Sequence, residues 1–165
     1  ANRVAAGSDV DLAQVGIGVS VRAGAAKPDV GTVDAVKQTL LKARVVAIPA
    51  STSGIWLVKE LFPKLGIADT INVKVSPRGA GVTAMVAAGE ADIGVLPVSE
   101  VLHAGGVELA GVFPSEIQFI QTFSAAVVAG ATEAQAGKRL IEFLSSARAT
   151  EAIRKSGLEP RAAQK

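Results

Sequence analysis

The chain has 165 residues, of which 49% are hydrophobic and 19% charged, and its net charge is +2 at pH 7. This composition argues against disorder and predicts one domain or two small lobes with a buried core. The basic residues are scattered, so no nucleic-acid-binding surface is expected. With no cysteine and a single histidine, His103, the sequence excludes thiolate nucleophiles and multi-histidine metal sites. No cofactor is expected.

The middle of the chain has a pattern that predicts a β-α-β-α-β order. Predicted strands cover residues 15–21, 44–48, 71–75, 90–97, 107–112 and 117–128. A first helix is predicted to be capped by Thr32, with Val33, Val36, Leu40 and Leu41 on one face. Further helices begin near Gly54 and Val82, and Gly66 is predicted to close the region that follows Gly54. Because parallel strands need crossover connections, we expect a mostly parallel sheet with helices on both faces. The strands at 15–21 and 117–128 are predicted to connect two lobes.

The C-terminal region has a helical pattern. Thr132 and Gln135 fit a capping box, and a second, shorter helix over residues 153–157 is predicted to end at Gly157. The apolar stripe of the first helix consists of Leu140, Phe143, Leu144 and Ala147. Without a sheet to cover it, this stripe is expected to associate with a second copy, so a homodimer is predicted.

Two strand-to-helix junctions carry the candidate ligand-binding residues. They are Ser51, Thr52, Ser53 and Gly54 in the first junction, and Arg78, Gly79, Ala80 and Gly81 in the second. The first N–H groups of a helix lack intrahelical acceptors and lie at the positive end of its dipole, so each junction predicts an anion site. Neighbouring parallel strands would bring both junctions to one crevice. Helix capping alone also explains the hydroxyls, and a solvated surface position also explains Arg78.

A nucleotide-binding interpretation of the second junction is also open. Gly79 and Gly81, followed by Ala84, match a relaxed dinucleotide-binding fingerprint. Glu100 follows about 20 residues later, where that motif has the acidic residue that binds the ribose. Glycines that simply permit a tight turn are the alternative. No Gly-x-Ser-x-Gly motif accompanies His103, so a hydrolase is not predicted.

Three passages resemble type II periplasmic solute-binding proteins of ABC transporters, in particular the molybdate-binding group. They are residues 51–67, residues 82–95 with the sequence Gly89-Glu90-Ala91-Asp92, and residues 143–160. The resemblance implies two α/β lobes joined by crossing strands, with the ligand in the cleft between them. It implies a first-lobe remnant and crossing strand at 1–23, the second lobe at 24–116, and a return strand with first-lobe helices at 117–165, the N-terminal part of the first lobe being missing.

The function that the resemblance implies is capture of a small oxyanion or carboxylate and its delivery to a membrane permease in the periplasm, without catalysis. Because the N-terminus lacks the charged-then-apolar layout of a signal peptide, we expect that this chain does not include one. Pro97 stands where similar molybdate receptors have a tyrosine whose hydroxyl contacts the oxyanion. The effector-binding domain of a transcription regulator with the same fold is the alternative, and a nucleotide-dependent enzyme is a weaker one.

Overall fold

The computed structural model describes residues 3–77 and 81–161. Arg78, Gly79 and Ala80, which were predicted to bind the ligand, lie outside the described residues. The chain divides into two compact units. We call Gly16–Ile120 the central unit, and Ala1–Val15 with Gln121–Lys165 the terminal unit.

The described residues form a mixed α/β structure. Its strands are β1 (Val10–Val15), β2 (Ile17–Arg22), β3 (Val46–Pro49), β4 (Val73–Ser76), β5 (Ile93–Pro97), β6 (Val107–Val112), β7 (Gln121–Ala125) and β8 (Glu159–Pro160). Its α-helices are α1 (Val33–Lys42), α2 (Thr52–Trp56), α3 (Phe62–Lys64), α4 (Gly81–Ala87), α5 (Ala134–Leu144) and α6 (Ala147–Lys155). A π-helical turn, Leu57–Leu61, joins α2 to α3, and short 3₁₀ turns span Val98–Glu100 and Ser115–Ile117.

The sheet of the central unit has the strand order β4-β3-β5-β2-β6. Strands β4, β3 and β5 are parallel neighbours, as predicted, whereas β2 runs antiparallel to both β5 and β6. Residues 15–21 therefore do not form one connecting strand. The chain divides at Gly16, because residues 17–21 are buried and hydrogen-bond to strands on both sides of β2.

Helices cover both faces of this sheet. On one face, α1 and the helical segment 52–64 bury Val36, Leu40 and Leu57 against the sheet, and on the other α4 buries Val82 and Val86. The predicted cap of α1 is confirmed, since Thr32 Oγ1 accepts a hydrogen bond of 3.1 Å from the Ala35 N–H. Leu41 was predicted to share the face of Val36 and Leu40, but it is 39% exposed, whereas those two residues are fully buried.

The π-helical turn has a local cause. Pro63 has no N–H to donate back to the preceding turn, so the regular bonding pattern is interrupted at that position, and the N–H of Phe62 donates to the carbonyl of Leu57. The helical segment nevertheless runs through Lys64. Gly66, with φ of +67°, then ends it as predicted.

The terminal unit contains a three-stranded antiparallel sheet of order β7-β1-β8. Strand β7 is shorter than the predicted strand at 117–128: Ile117 belongs to a 3₁₀ turn, and residues 118–120 and 126–127 form no regular structure. The predicted capping box is wrong: α5 begins at Ala134, its N-cap position is Glu133, and no side chain caps it. Helix α6 begins earlier than predicted, and Gly157, with φ of +80°, follows its end.

The apolar stripe on α5 is largely open to solvent within the described residues. Leu140 is 58% and Phe143 is 44% exposed. No helix among residues 3–77 and 81–161 is long and apolar enough to cross a membrane. In the same part of the chain, no three acidic or histidine side chains cluster closely enough to hold a metal ion.

Candidate functional site

The two predicted junctions lie side by side at one edge of the central sheet. Pro49, the last residue of β3, is paired in parallel register with Ser76, the last residue of β4. The Ala50 N–H donates to the Ser76 carbonyl at 3.1 Å, which ties the start of the first junction to the end of β4. Strand β5 lies on the other side of β3 and ends at Pro97. Because parallel strands point the same way, the ends of all three meet at this edge.

Each junction contains a glycine packed against the end of its own strand. A Cβ at Gly54 would overlap the carbonyl oxygen of Pro49, five residues earlier. A Cβ at Gly81 would lie 2.8 Å from Cβ and Oγ of Ser76, again five residues earlier. The chain therefore turns back tightly over the strand end in both junctions, which requires residues without side chains at these positions.

The hydroxyls of the first junction are not used as a helix cap. Ser51 holds the N-cap position with an extended backbone, but its side chain makes no capping hydrogen bond. Instead, Ser51 Oγ lies 3.4 Å from Oγ of Ser53, which is fully buried, whereas Thr52 is exposed. Within the part of the chain that the structure describes, no hydrogen bond joins the N–H groups of Thr52, Ser53 or Gly54 to another residue. Capping alone therefore does not account for these hydroxyls.

The second junction is described only at its two ends. Ser76 is buried, and its hydroxyl donates to the carbonyl of Pro77 at 3.1 Å. Gly81 is the first residue of α4. Ala84 is exposed, although the third small residue of a dinucleotide fingerprint packs the helix closely against its strand. This exposure argues against the nucleotide-binding interpretation.

The end of β5 adds a proline and a carboxyl group to the same edge. Pro97 is buried and lies opposite Ile17, the first residue of β2. Three residues later, the exposed Glu100 ends the 3₁₀ turn, and partial desolvation raises the pKa of its carboxyl group above the ordinary value. The sequence suggested Glu100 only as a ribose ligand, although its position directly after a strand end was a signal for this edge.

The chain enters and leaves the central unit at this edge too. Since β2 runs antiparallel to β5, its start at Ile17 lies beside the end of β5. Phe119 is next to the last residue of the central unit in the sequence, and its ring stacks on Trp56 of α2, with centroids 5.0 Å apart and an angle of 18° between the rings. Sequence reasoning missed this pair and the neighbouring Gln118, because their partners are distant in the chain.

Comparison with known proteins identifies the family. A family model described as "Bacterial extracellular solute-binding protein" matches residues 1–159. The chain is also 39% identical over 163 residues to a protein from Pseudomonas sp named aconitate isomerase. That match covers 98% of this chain and 62% of the relative, so the chain spans less than two thirds of the relative's length.

Solved structures show the same fold at low sequence identity. The substrate-binding domain of a putative molybdenum ABC transporter from Clostridium difficile matches with a TM-score of 0.70 and 16% identity, covering 95% of this chain and 68% of that one. A periplasmic thiamin-binding protein matches with a TM-score of 0.66 and 14% identity, covering 99% of this chain and 58% of that one. With its type II periplasmic binding-protein fold and a family match over nearly its whole length, the chain belongs to the bacterial extracellular solute-binding proteins.

Proposed function

We propose that the chain binds a small carboxylate or oxyanion at the edge formed by the ends of β3, β4 and β5, as the receptor component of an ABC transporter. The observation that carries this proposal is the register of Pro49 with Ser76, which brings two strand-to-helix junctions together. Fixed N–H groups and hydroxyls can meet the charge of a dehydrated anion without mobile side chains. The candidate ligand contacts are Ser51, Thr52, Ser53, Gly54 and Gly81, with Arg78, Gly79, Ala80 and Pro97 proposed from the sequence.

We favour a carboxylate over molybdate. The relative at 39% identity carries the name of an enzyme that acts on aconitate, a tricarboxylate, whereas the molybdenum-transporter domain shares 16% of its sequence with this chain. The chain also contains no tyrosine, so the phenolic hydroxyl of molybdate receptors has no counterpart. The hydroxyls of half-buried Ser51 and fully buried Ser53 suit the oxygens of either anion, which accept hydrogen bonds only, so the preference for a carboxylate rests on the relative and on the absent tyrosine.

Titration calorimetry of the full chain tests the proposal, with cis-aconitate, trans-aconitate, citrate, molybdate and sulfate as probes. A carboxylate that binds should also stabilise the fold, by about 2.7 kcal/mol when its free concentration is about 100 times Kd. For a chain of this size that corresponds to a rise in Tm of roughly 5–10 °C. The absence of both heat and thermal shift with every probe would refute the proposal.

A hydroxyl deletion tests the position of the site. Ser51→Ala removes a donor that caps no helix and should leave Tm nearly unchanged. Loss of one hydrogen bond to a charged ligand should weaken binding by roughly 10-fold to 100-fold, or about 1.5–3 kcal/mol. Ser115→Ala is the matched control, since the Ser115 hydroxyl bonds to exposed Glu116. Equal affinities of both variants would place the ligand elsewhere.

Isomerisation of an unsaturated carboxylate is the second candidate function, favoured by the name of the relative at 39% identity. Such a reaction needs a group that moves a proton, and a carboxyl group with a raised pKa suits that role. Glu100, at the same sheet edge, is the candidate. Proton NMR of cis-aconitate incubated with the chain should show a second isomer, which Glu100→Gln should fail to produce. If cis-aconitate remains unchanged with the wild-type chain, the isomerase function is refuted and only the binding function remains.

The partner and location follow from the same proposal. A receptor of this family would work in the periplasm and present its ligand to a membrane permease. We also propose self-association through the exposed stripe of α5, around Leu140 and Phe143. Cross-linking in the presence of the cognate permease would test the first partner, and sedimentation of the chain alone would test the second.

A further inference from the structure

A single side chain holds together the segments through which the chain enters and leaves the central unit. Gln118 Oε1 accepts hydrogen bonds from the N–H of Ile17 at 2.6 Å and from the N–H of Phe119 at 3.0 Å. Gln118 Nε2 donates to the carbonyls of Ile17 and Phe113, both at 3.1 Å. Ile17 and Gln118 are 101 residues apart in the sequence, so this contact is tertiary.

The Gln118 amide is inserted into the last residue pair between β2 and the end of β6. Beyond Val112, which lies opposite Gly18, the Phe113 N–H donates to the Ile17 carbonyl at 3.0 Å. The reciprocal bond of a hydrogen-bonded antiparallel pair, from the Ile17 N–H to the Phe113 carbonyl, is replaced by the amide, which accepts from the first group and donates to the second. Two donor hydrogens and two acceptor positions are all that a glutamine amide has. Gln118 therefore has no hydrogen-bonding capacity left for a ligand.

The Gln118 amide links the start of β2 to two parts of the candidate site, the end of β5 and helix α2. Gly16 packs against it, since a Cβ there would lie 3.0 Å from Cδ and Nε2 of Gln118. The Gly16 carbonyl accepts a hydrogen bond of 3.0 Å from Val98, the residue after Pro97. On the other side, Phe119 is held by Gln118 Oε1 and stacks on Trp56 of α2.

We propose that Gln118 is a positioning residue for ligand binding, acting as a clasp that keeps helix α2 of the first junction and the end of β5 in the arrangement that binds the ligand. The proposal rests on the proposed function for its ligand. Gln118 does not contact the ligand, and its effect passes through Gly16 and Val98 on one side and through Phe119 and Trp56 on the other.

Gln118→Glu turns the clasp into a pH-dependent one. When ionised, the new carboxylate would place an oxygen against the carbonyls of Ile17 and Phe113, where Nε2 now donates. The protonated carboxyl can still donate to one of them, so its pKa should be raised. The clasp is therefore present at low pH and lost as pH rises through that pKa.

The affinity of Gln118→Glu for trans-aconitate is compared with that of wild type at the same pH. It should be within roughly threefold of wild type at about pH 5 and at least about tenfold weaker at about pH 8. Circular dichroism checks that the variant remains folded at both values. Gln38→Glu, at an exposed position of α1, is the control and should follow wild type throughout. A Gln118→Glu ratio that stays equal to wild type at both pH values would overturn the proposal.

Hydrogen exchange gives a readout that needs no ligand. The amides of Ile17 and Phe119 should exchange at least about tenfold faster in Gln118→Glu at about pH 8 than in wild type. The two carbonyls repel the carboxylate, so it moves away from both N–H groups and they lose their acceptor. If no probe binds wild type, the proposed function fails, while this measurement still decides on the clasp. In Gly16→Ala the new Cβ would displace the Gln118 amide, so this variant should show a smaller loss of affinity and a smaller increase in exchange. Unchanged exchange in both variants would refute the clasp.

Discussion

Gly54 is the position where one added methyl group should be most damaging. In Gly54→Ala the new Cβ would overlap the backbone carbonyl oxygen of Pro49. Pro49 cannot turn away, because its neighbour Ala50 donates to Ser76 at 3.1 Å and β3 is paired with β4 at this point. Either the start of α2 or the end of β3 must move, and both belong to the candidate site.

The expected loss of stability follows from these contacts. Overpacking a close-packed site costs about 1–3 kcal/mol, and the upper end applies because the obstructing atom is backbone. Loss of the hydrogen bond between Ala50 and Ser76 adds about 1 kcal/mol. The higher helix propensity of alanine returns up to about 1 kcal/mol. The net effect is about 3 kcal/mol, or a fall in Tm of roughly 6–12 °C for a chain of this size.

Thermal unfolding followed by circular dichroism measures this change. Gly105→Ala is the matched control, since a Cβ there meets nothing within 4 Å and the position has no positive φ. Its Tm should lie within roughly 3 °C of wild type. If Gly54→Ala melts within the same interval, the close approach of Gly54 to Pro49 does not exist in solution. Gly54→Pro would test folding and not binding, because its Cβ would meet the same carbonyl.

Leu40→Ala should cost about 2–5 kcal/mol in urea unfolding because Leu40 is fully buried, whereas Leu41→Ala, at a position 39% exposed, should cost less than about 1 kcal/mol. Because burial raises the folded-state pKa of Glu100, wild-type stability should fall as pH rises from the unfolded-state pKa through the folded one. Glu100→Gln should lack this term, so its gain in Tm over wild type should be larger at about pH 8 than at about pH 4; an equal gain contradicts the reasoning. Replacing Leu140 and Phe143 by serine should weaken self-association in sedimentation experiments, and a chain already monomeric at high concentration contradicts that proposal.

The sequence by itself determined the features that depend on neighbouring residues. The Thr32 cap and the glycine after the helical segment that ends at Lys64 were predicted correctly, because both depend on hydrogen bonds within one turn of chain. The order of strands and helices followed from hydrophobic periodicity. The solute-binding family, which the comparisons confirm, was suggested by the resemblance of three passages to known members. The two junctions were identified from glycine and hydroxyl residues directly after apolar strands.

The tertiary structure decided whatever depends on residues far apart in the chain. Only the fold shows that β2 lies between β5 and β6, that Ser51 caps no helix, and that Gln118 completes the hydrogen bonding of Ile17. The capping box at Thr132 failed for the same reason, since local pattern does not determine where α5 begins. Periodicity reports which face of an element is apolar, but the partner that covers that face, and the atoms left to bind a ligand, are set by packing between distant segments.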